Sequence, residues 1–549
     1  MGDEYMRPVR GLSAMQHPKT QSVIENRRRR ELPVASPTRR SFLAGSAGLT
    51  TLFALAGTLL REPSAALAAP EAAGEPFDAQ TVRRIAETLS TTPFEKPRIE
   101  VPAPFDKLTY DQYRDIRFRS ESAIWRNEGR GFELQLFALG YLFDVPVEMH
   151  VVADGRAVPL KADGRFFSIG PLIGKGNEQA PYGFSGFRVH GPINRADIND
   201  EYLVFQGASY FRAVGRNQRY GLSARGLAIG TARPTGEEFP FFKAFWIERP
   251  SAGATSLTIH ALLDSPSTTG AYTFVVAPGP NTVIDVSVWL YPRRDVSHVG
   301  MAPLTSMYRH GAAQDRLPPD YRPSVHDSEG LAVLNGSGEH LWRPLTNPRT
   351  LQTSAFIDRN PKGFGLLQRD RAFRSYQDLE ARYEWRPTVW IEPKGEWGEG
   401  YVELIEIPTE AEIHDNIVAY WKPAKALERG TAYAFGYRMH WCAELPVSWA
   451  PLHVAKTRVG VADAPETRLF VIDFAGANAS SLGALPRAEV ASSSGRIANL
   501  VVQENPEIGG LRASFELNTA GTDMIELRLG LKINDKLISE SWLYRWTRS

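Results

Sequence analysis

Along most of this chain apolar and polar residues change places in short runs, and apolar residues rarely recur at helical spacing, so strands are predicted almost throughout. One amphipathic helix is expected from Asp78 to Leu89, where Val82, Ile85, Ala86 and Leu89 fall on one face. Val145 to Leu160 reads as a hairpin with Asp154-Gly155 as its two-residue turn, and Asp163-Gly164 repeats that turn signal. Apolar runs such as Ser256–Leu263 and Thr282–Tyr291 follow at intervals broken by Pro and Gly, the pattern of a large β-sandwich or barrel. Pro408 to Asn416 is polar and acidic, with Glu410, Glu412 and Asp415, and reads as a linker. Beyond it, Ala432–His440, Arg468–Phe474, Leu511–Leu517, Met524–Ile533 and Leu537–Trp546 suit a seven-strand immunoglobulin-like sandwich without its cysteine pair. The expectation is an all-β protein: a large N-terminal β-sandwich over residues 77–407, a linker at 408–416 and a C-terminal immunoglobulin-like β-sandwich over 417–549.

Length supports this division, because 549 residues exceed what one ordinary core accommodates. Gly 46 and Pro 39 together lie above the usual share of about 12% and favour many turns. A formal charge of +1 leaves no basic field to hold nucleic acid. The lone Cys442 excludes an intrachain disulfide framework and cysteine-rich metal modules.

The first 68 residues read differently. A basic run, Arg27 to Arg30, precedes Thr38-Arg39-Arg40-Ser41-Phe42-Leu43 and an uncharged stretch from Ser41 to Leu60. Ala66-Leu67-Ala68 then offers small residues for cleavage. This is the composition of a twin-arginine signal peptide at 1–68 and of a periplasmic product. A retained anchor is the alternative, although Gly45, Gly48 and Gly57 dilute the apolar stretch. After cleavage no membrane span is expected.

Compact catalytic motifs are missing. Gly174-x-Gly176 ends at Gln179 where a dinucleotide fingerprint needs a third glycine, and Gly221 to Gly226 holds one residue too many for a nucleophile elbow. A turn leaving a strand explains the latter. His326-Asp327 alone makes no metal cluster, so neither metal nor cofactor is expected. What remains is polar–aromatic density between about residues 108 and 400, including Leu108–Phe118, Phe205–Arg212, Glu237–Pro240, Trp342–Leu345, Gln368–Arg371, Tyr376–Asp378 and Trp385–Pro387. Aromatic faces beside Arg and carboxylates suit a sugar cleft, where rings stack and hydroxyls find charged partners; the alternative is a core of aromatics with Arg–carboxylate pairs pinning loops. Glycoside hydrolysis fits such a cleft, since it uses two carboxyl groups. Asp264, Asp295, Asp327, Glu329, Asp378, Glu380 and Glu384 are the candidates.

Several segments carry a resemblance. They include GFSGFRV at Gly183–Val189, GLSARGL at Gly221–Leu227, ALLDSPSTTGAY at Ala261–Tyr272 and APLTSM at Ala302–Met307. RPSVHDSEGL at Arg322–Leu331, GFGLLQRDR at Gly363–Arg371 and DNIVAYW at Asp415–Trp421 extend it. Over residues 77 to about 440 the chain resembles the periplasmic glucans biosynthesis proteins of the G and D type, and its leader is more like that of the D form. The resemblance implies a mutarotase-like supersandwich joined to the immunoglobulin-like domain. It also implies action on linear β-1,2-glucan made by a membrane glucosyltransferase, a second partner, and an activity similar to inverting endo-β-1,2-glucanases. The family's Tyr/Phe-x-Asp-Leu aspartate falls on Asp378, which makes it the implied general acid. Asp295 is the first choice for general base, with Asp327 behind it. Glu329 stands where the family often has Asp or Asn, so its charge is not expected to be essential. An inverting pair should lie about 6.5–9.5 Å apart, or further where a water chain relays the proton. Tyr210, Arg225, His326, Asp327, Trp342, Arg343, Arg369, Arg371, Tyr376, Glu384 and Trp390 are expected to bind substrate. Two other readings stay open: a non-catalytic glucan-binding partner of the membrane synthase, and a sugar epimerase or mutarotase.

Overall fold

The computed structural model describes residues 74–101, 103–174, 183–314, 318–476 and 482–548; the expected leader, 1–68, lies outside them. Strand alternation does what it predicts. In Thr282–Pro292, Ile284, Val286, Val288 and Leu290 are buried while Asp285 and Ser287 on the opposite face are not. The hairpin forms from Glu148–Ala153 and Arg156–Pro159, with Asp154 and Gly155 at φ +51° and +71°, the left-handed pair that a tight hairpin turn demands. Asp163-Gly164 makes a turn but no hairpin: the next strand, Phe167–Ile169, pairs instead with Ile116–Phe118. The helix runs Thr81–Ser90, starting later than expected; Asp78 stands before its first turn, its carboxylate accepting from Gln80 N and Thr81 Oγ1, each at 2.9 Å. Its Val82 and Ala86 are buried.

Two large sheets build the molecule. A 16-stranded sheet carries Phe241–Glu248, Leu257–Asp264, Thr268–Ala277 and Thr282–Pro292 as consecutive antiparallel neighbours. It continues through Tyr433–Cys442, Thr388–Lys394, Gly363–Leu367, Gly330–Leu334 and His340–Pro344. A 10-stranded sheet carries Glu399–Glu406, Ile417–Pro423, Val299–Ser306, Ser223–Arg225, Tyr210–Ala213, Ile198–Gln206 and Phe184–Arg195. The sheets share one aromatic core: Phe205 of the smaller meets Phe245 and Phe274 of the larger at 5.3 and 5.2 Å, and Phe187 meets Phe245 at 5.0 Å.

The boundary expected at 408–416 needs correction. Ile417–Pro423 pairs with Glu399–Glu406 and Val299–Ser306, and Tyr433–Cys442 pairs with Thr282–Pro292 and Thr388–Lys394, so both strands belong to the large sandwich. Their apolar residues fill its core, Trp421 and Trp441 among them. The chain leaves that sandwich after Cys442. Four strands, Leu452–Val461, Thr467–Gly476, Gly510–Asn518 and Arg496–Asn505, then form one small sheet. Arg487–Ser492, Met524–Ile533 and Ser541–Thr547 form the facing layer, completing a four-plus-three β-sandwich of the immunoglobulin-like kind. That second layer is not separate: Ser541–Thr547 pairs in parallel with His340–Pro344 and extends the 16-stranded sheet. Trp542, Tyr544 and Trp546 alternate inward, as one buried face of this final strand.

Candidate active site

A cavity of about 1310 Å³ opens beside the start of Tyr210–Ala213, between Tyr210, the turn Gly230–Gly236 and the segment Arg294–His298. Tyr210 is buried with its ring 4.7 Å from the Arg225 guanidinium, which donates to Glu237 Oε1 at 2.6 Å and to Thr305 Oγ1 at 2.9 Å. Asp295 lies exposed on this wall, accepting from Arg429 N at 2.8 Å.

Asp378 sits in a different place. Its Oδ1 accepts from the backbone N–H of Glu380 and Ala381 at 2.9 and 2.8 Å, and its Oδ2 from Arg322 Nη1 at 2.9 Å. Arg322 is shared. It donates to both oxygens of Asp320 at 3.0 and 2.9 Å and lies 2.7 Å from Glu412 Oε2. Burial works against its charge, yet these carboxylates outweigh that and raise it further above the ordinary guanidinium range. Arg322 in turn holds the Asp320 carboxyl well below the usual carboxylate range. Arg309 adds ion pairs to Asp320 at 2.9 Å and Glu412 at 4.0 Å. Three carboxyl groups therefore share two guanidiniums. Exposed side chains surround them: Tyr321 at 76%, Leu379 at 72% and Trp385, whose ring lies 3.7 Å from the Arg382 guanidinium.

None of these residues lines the cavity that holds Asp295. A seam of charge connects the two places. Burial pushes the Asp415 carboxyl up, against Arg212, Arg225 and Arg386, and its Oδ2 stands 3.6 Å from Arg212 Nη2 without a hydrogen bond among the described residues. Burial, then the neighbouring Arg212, pushes Arg386 down to about 9, while Glu412 and Asp415 work the other way. The seam thus runs from Glu237 and Arg225 through Asp415 and Arg386 to Glu412, Arg322 and Asp378.

Residues 77–546 match the family described as "Periplasmic glucan biosynthesis protein, MdoG". The chain belongs to that family. Glucans biosynthesis protein G 1 of Shewanella oneidensis is 47% identical over 527 residues, covering 91% of this chain and 97% of that protein. Glucans biosynthesis protein G of Shewanella sp. MR-7 is 50% identical over 474 residues, covering 86% and 87%. Both carry the G designation, whereas the D-like expectation rested on the leader, outside the described residues. A solved galactose mutarotase related enzyme from Lactobacillus acidophilus covers 54% of this chain and 97% of its own at 10% identity and a TM-score of 0.20, a likeness too slight to build on. No helix among the described residues is long and apolar enough to cross a membrane.

Several side chains expected to touch substrate hold this family member together instead. Trp342 and Trp390 are buried in the core shared with the C-terminal sandwich. Arg369 covers Trp342 at 3.6 Å and donates to Glu540 Oε2 and Val454 O at 2.9 and 2.8 Å. Arg343 is buried against Glu406 at 3.0 Å. His326, packed flat on Tyr308 and bonded to Gln368 Oε1 at 2.9 Å, is pushed down to about 3 chiefly by burial, and is a neutral core residue. Tyr376 donates to Asp370 O at 2.9 Å, Arg371 to Glu384 O at 3.1 Å and to Ala443 O at 2.8 Å, and Glu384 is buried beside Arg382; these support the Asp378 loop from beneath. Asp327 is buried against Arg386 and also lies below the surface. The polar–aromatic pattern could not separate these from surface residues, because a pinned core and a sugar cleft draw on the same residue types. Asp320, Arg212 and Glu412 were not among the expected site residues. Glu412 and Asp415 come from the segment read as a linker, and their acidity beside the DNIVAYW motif was the available signal.

Proposed function

We propose that this member of the periplasmic glucan biosynthesis family cleaves linear β-1,2-glucan as an inverting endo-glucanase, with Asp378 as general acid. The supporting observation is the cluster around Arg322, in which three carboxyl groups face two guanidiniums at the foot of the exposed rim of Tyr321, Leu379 and Trp385. The exposed Tyr321 ring on that rim offers a face for a sugar. A proton delivered from Asp378 to the oxygen between two glucose units lets the bond break while a base activates water from the opposite side. Asp295 serves as base in this reading through a chain of waters, Asp378 not being among the residues that line its cavity. The periplasm and export by the twin-arginine route belong to the same reading. Lys-Lys in place of Arg39-Arg40 should keep the protein out of the periplasm.

The test is the appearance of reducing ends from linear β-1,2-glucan, wild type against Asp378→Asn and Asp295→Asn. Loss of activity in folded Asp378→Asn supports the assignment; full activity overturns it. A second reading, non-catalytic glucan binding alongside a membrane synthase, is favoured by the three N–H donors already on Asp378, which leave it an acceptor. Glucan binding with no new reducing ends from wild type would select it.

A further inference from the structure

Against the cavity that holds Asp295 lies a second construction, of which Arg233 and His298 line the wall. Its parts follow from neighbouring strands. Glu403 and Tyr420 are directly opposed in register, and the Tyr420 ring occupies the space above Gly300, where a Cβ would stand 2.5 Å from it. Tyr420 Oη donates to Glu403 Oε2 at 2.6 Å, and His298 Nε2 lies 2.9 Å from the same oxygen. The Glu403 side chain is only 2% exposed. Burying a carboxylate this far is costly unless donors surround it. Although burial alone would raise it, the bonds from His298 and Tyr420 with the charge of Arg233 hold it low. Arg233 closes the set: its Nη2 reaches Glu403 Oε1 at 2.9 Å and lies 3.0 Å from His298 Nδ1.

Arg233 is the member that meets the cavity. It belongs to the turn Gly230–Gly236, is 40% exposed and lines the cavity with His298, Phe239 and Asp295. Its side-chain hydrogen bonds all pass through Nη2, so Nε and Nη1 keep their hydrogens without a hydrogen-bond partner among the described residues. A guanidinium fixed at one nitrogen and open at the others is a pre-oriented donor for hydroxyl and ring oxygens. The cavity is larger than one sugar ring requires, and Asp378 is not among its lining residues.

We propose that Arg233, positioned by the buried Glu403–His298–Tyr420 group, forms a subsite apart from Asp378 that grips a further stretch of a long glucan and so sets a preference for chain length. This rests on the function proposed above. Glu403 acts through Arg233 and is a positioning residue.

The experiment compares kinetics on linear β-1,2-glucan polymer and on a β-1,2-linked tetrasaccharide, with calorimetric binding of the polymer measured in parallel. Arg233→Ala should raise KM for the polymer about tenfold or more, the worth of hydrogen bonds to a charged donor, with kcat held and the tetrasaccharide unaffected. Arg233→Lys should restore part of the loss, and Glu403→Gln should reproduce the polymer-specific KM effect, which a merely structural role would not do. An equal effect on both substrates, or none on either, overturns the subsite. Should wild type cleave neither substrate, the hydrolytic reading fails by itself; polymer binding by wild type and Arg233→Ala then still decides the subsite, equal affinities overturning it.

Discussion

Asp378 has both carboxylate oxygens engaged by N–H donors in this structure, and one of those donors, Arg322, divides its charge among three acids. If the acid role is correct, Asp378→Asn should lower glucan cleavage by about 10²–10⁴-fold, the usual worth of a positioned acid, with thermal unfolding little changed. Arg322→Ala should also act on the fold, costing stability by about 3–5 kcal/mol through uncompensated buried carboxylates, seen as a lowered urea midpoint. His326 gives the pH dependence. Its folded value near 3 lies below the ordinary imidazole value of 6.5, so between those limits the unfolded chain takes a proton that the folded one refuses. Its stabilising contribution is full above pH 6.5 and is lost as pH falls toward 3, by up to about 1.4 kcal/mol per pH unit. Urea unfolding from pH 7 to pH 4 should show that slope, and His326→Gln should flatten it.

At the scale of elements, the acidic segment 408–416 changes meaning. Read along the chain it has a linker's polarity; in the fold it joins two strands of one sheet, and Glu412 and Asp415 reach the seam between the cavity and Asp378. Strands and the hairpin were legible in sequence because alternation and an Asp-Gly turn are local properties. Trp342, Trp390 and Arg369 were misread because burial is not local: the strands that cover them are more than sixty residues away in sequence. Trp390→Ala should therefore lower stability by about 3–5 kcal/mol, measured by denaturant unfolding, rather than act as a selective substrate-binding mutation.

For the whole molecule, the 16-stranded sheet crosses from the large sandwich into the C-terminal one, and their shared core includes Trp342, Leu367, Trp390, Phe470, Phe515 and Trp542. Glu540, fully buried, accepts from Arg369, Trp449 and Val454 at this junction. Calorimetry should show one cooperative transition for residues 74–549, and a chain ending after Cys442 should fail to fold alone, because His340–Pro344 loses its neighbour and two tryptophans lose their cover. By itself the sequence determined that this is a β-protein with a small second sandwich, since period-two patterning and turn chemistry act over a few residues. Its family-bearing motifs also directed attention to Asp378. Which strands close which sandwich, which aromatics face solvent and which carboxylates share a guanidinium were decided only by tertiary structure. Those are relations that the fold makes between residues on separate segments of the chain, and pairing across sheets, not local pattern, sets burial and charge.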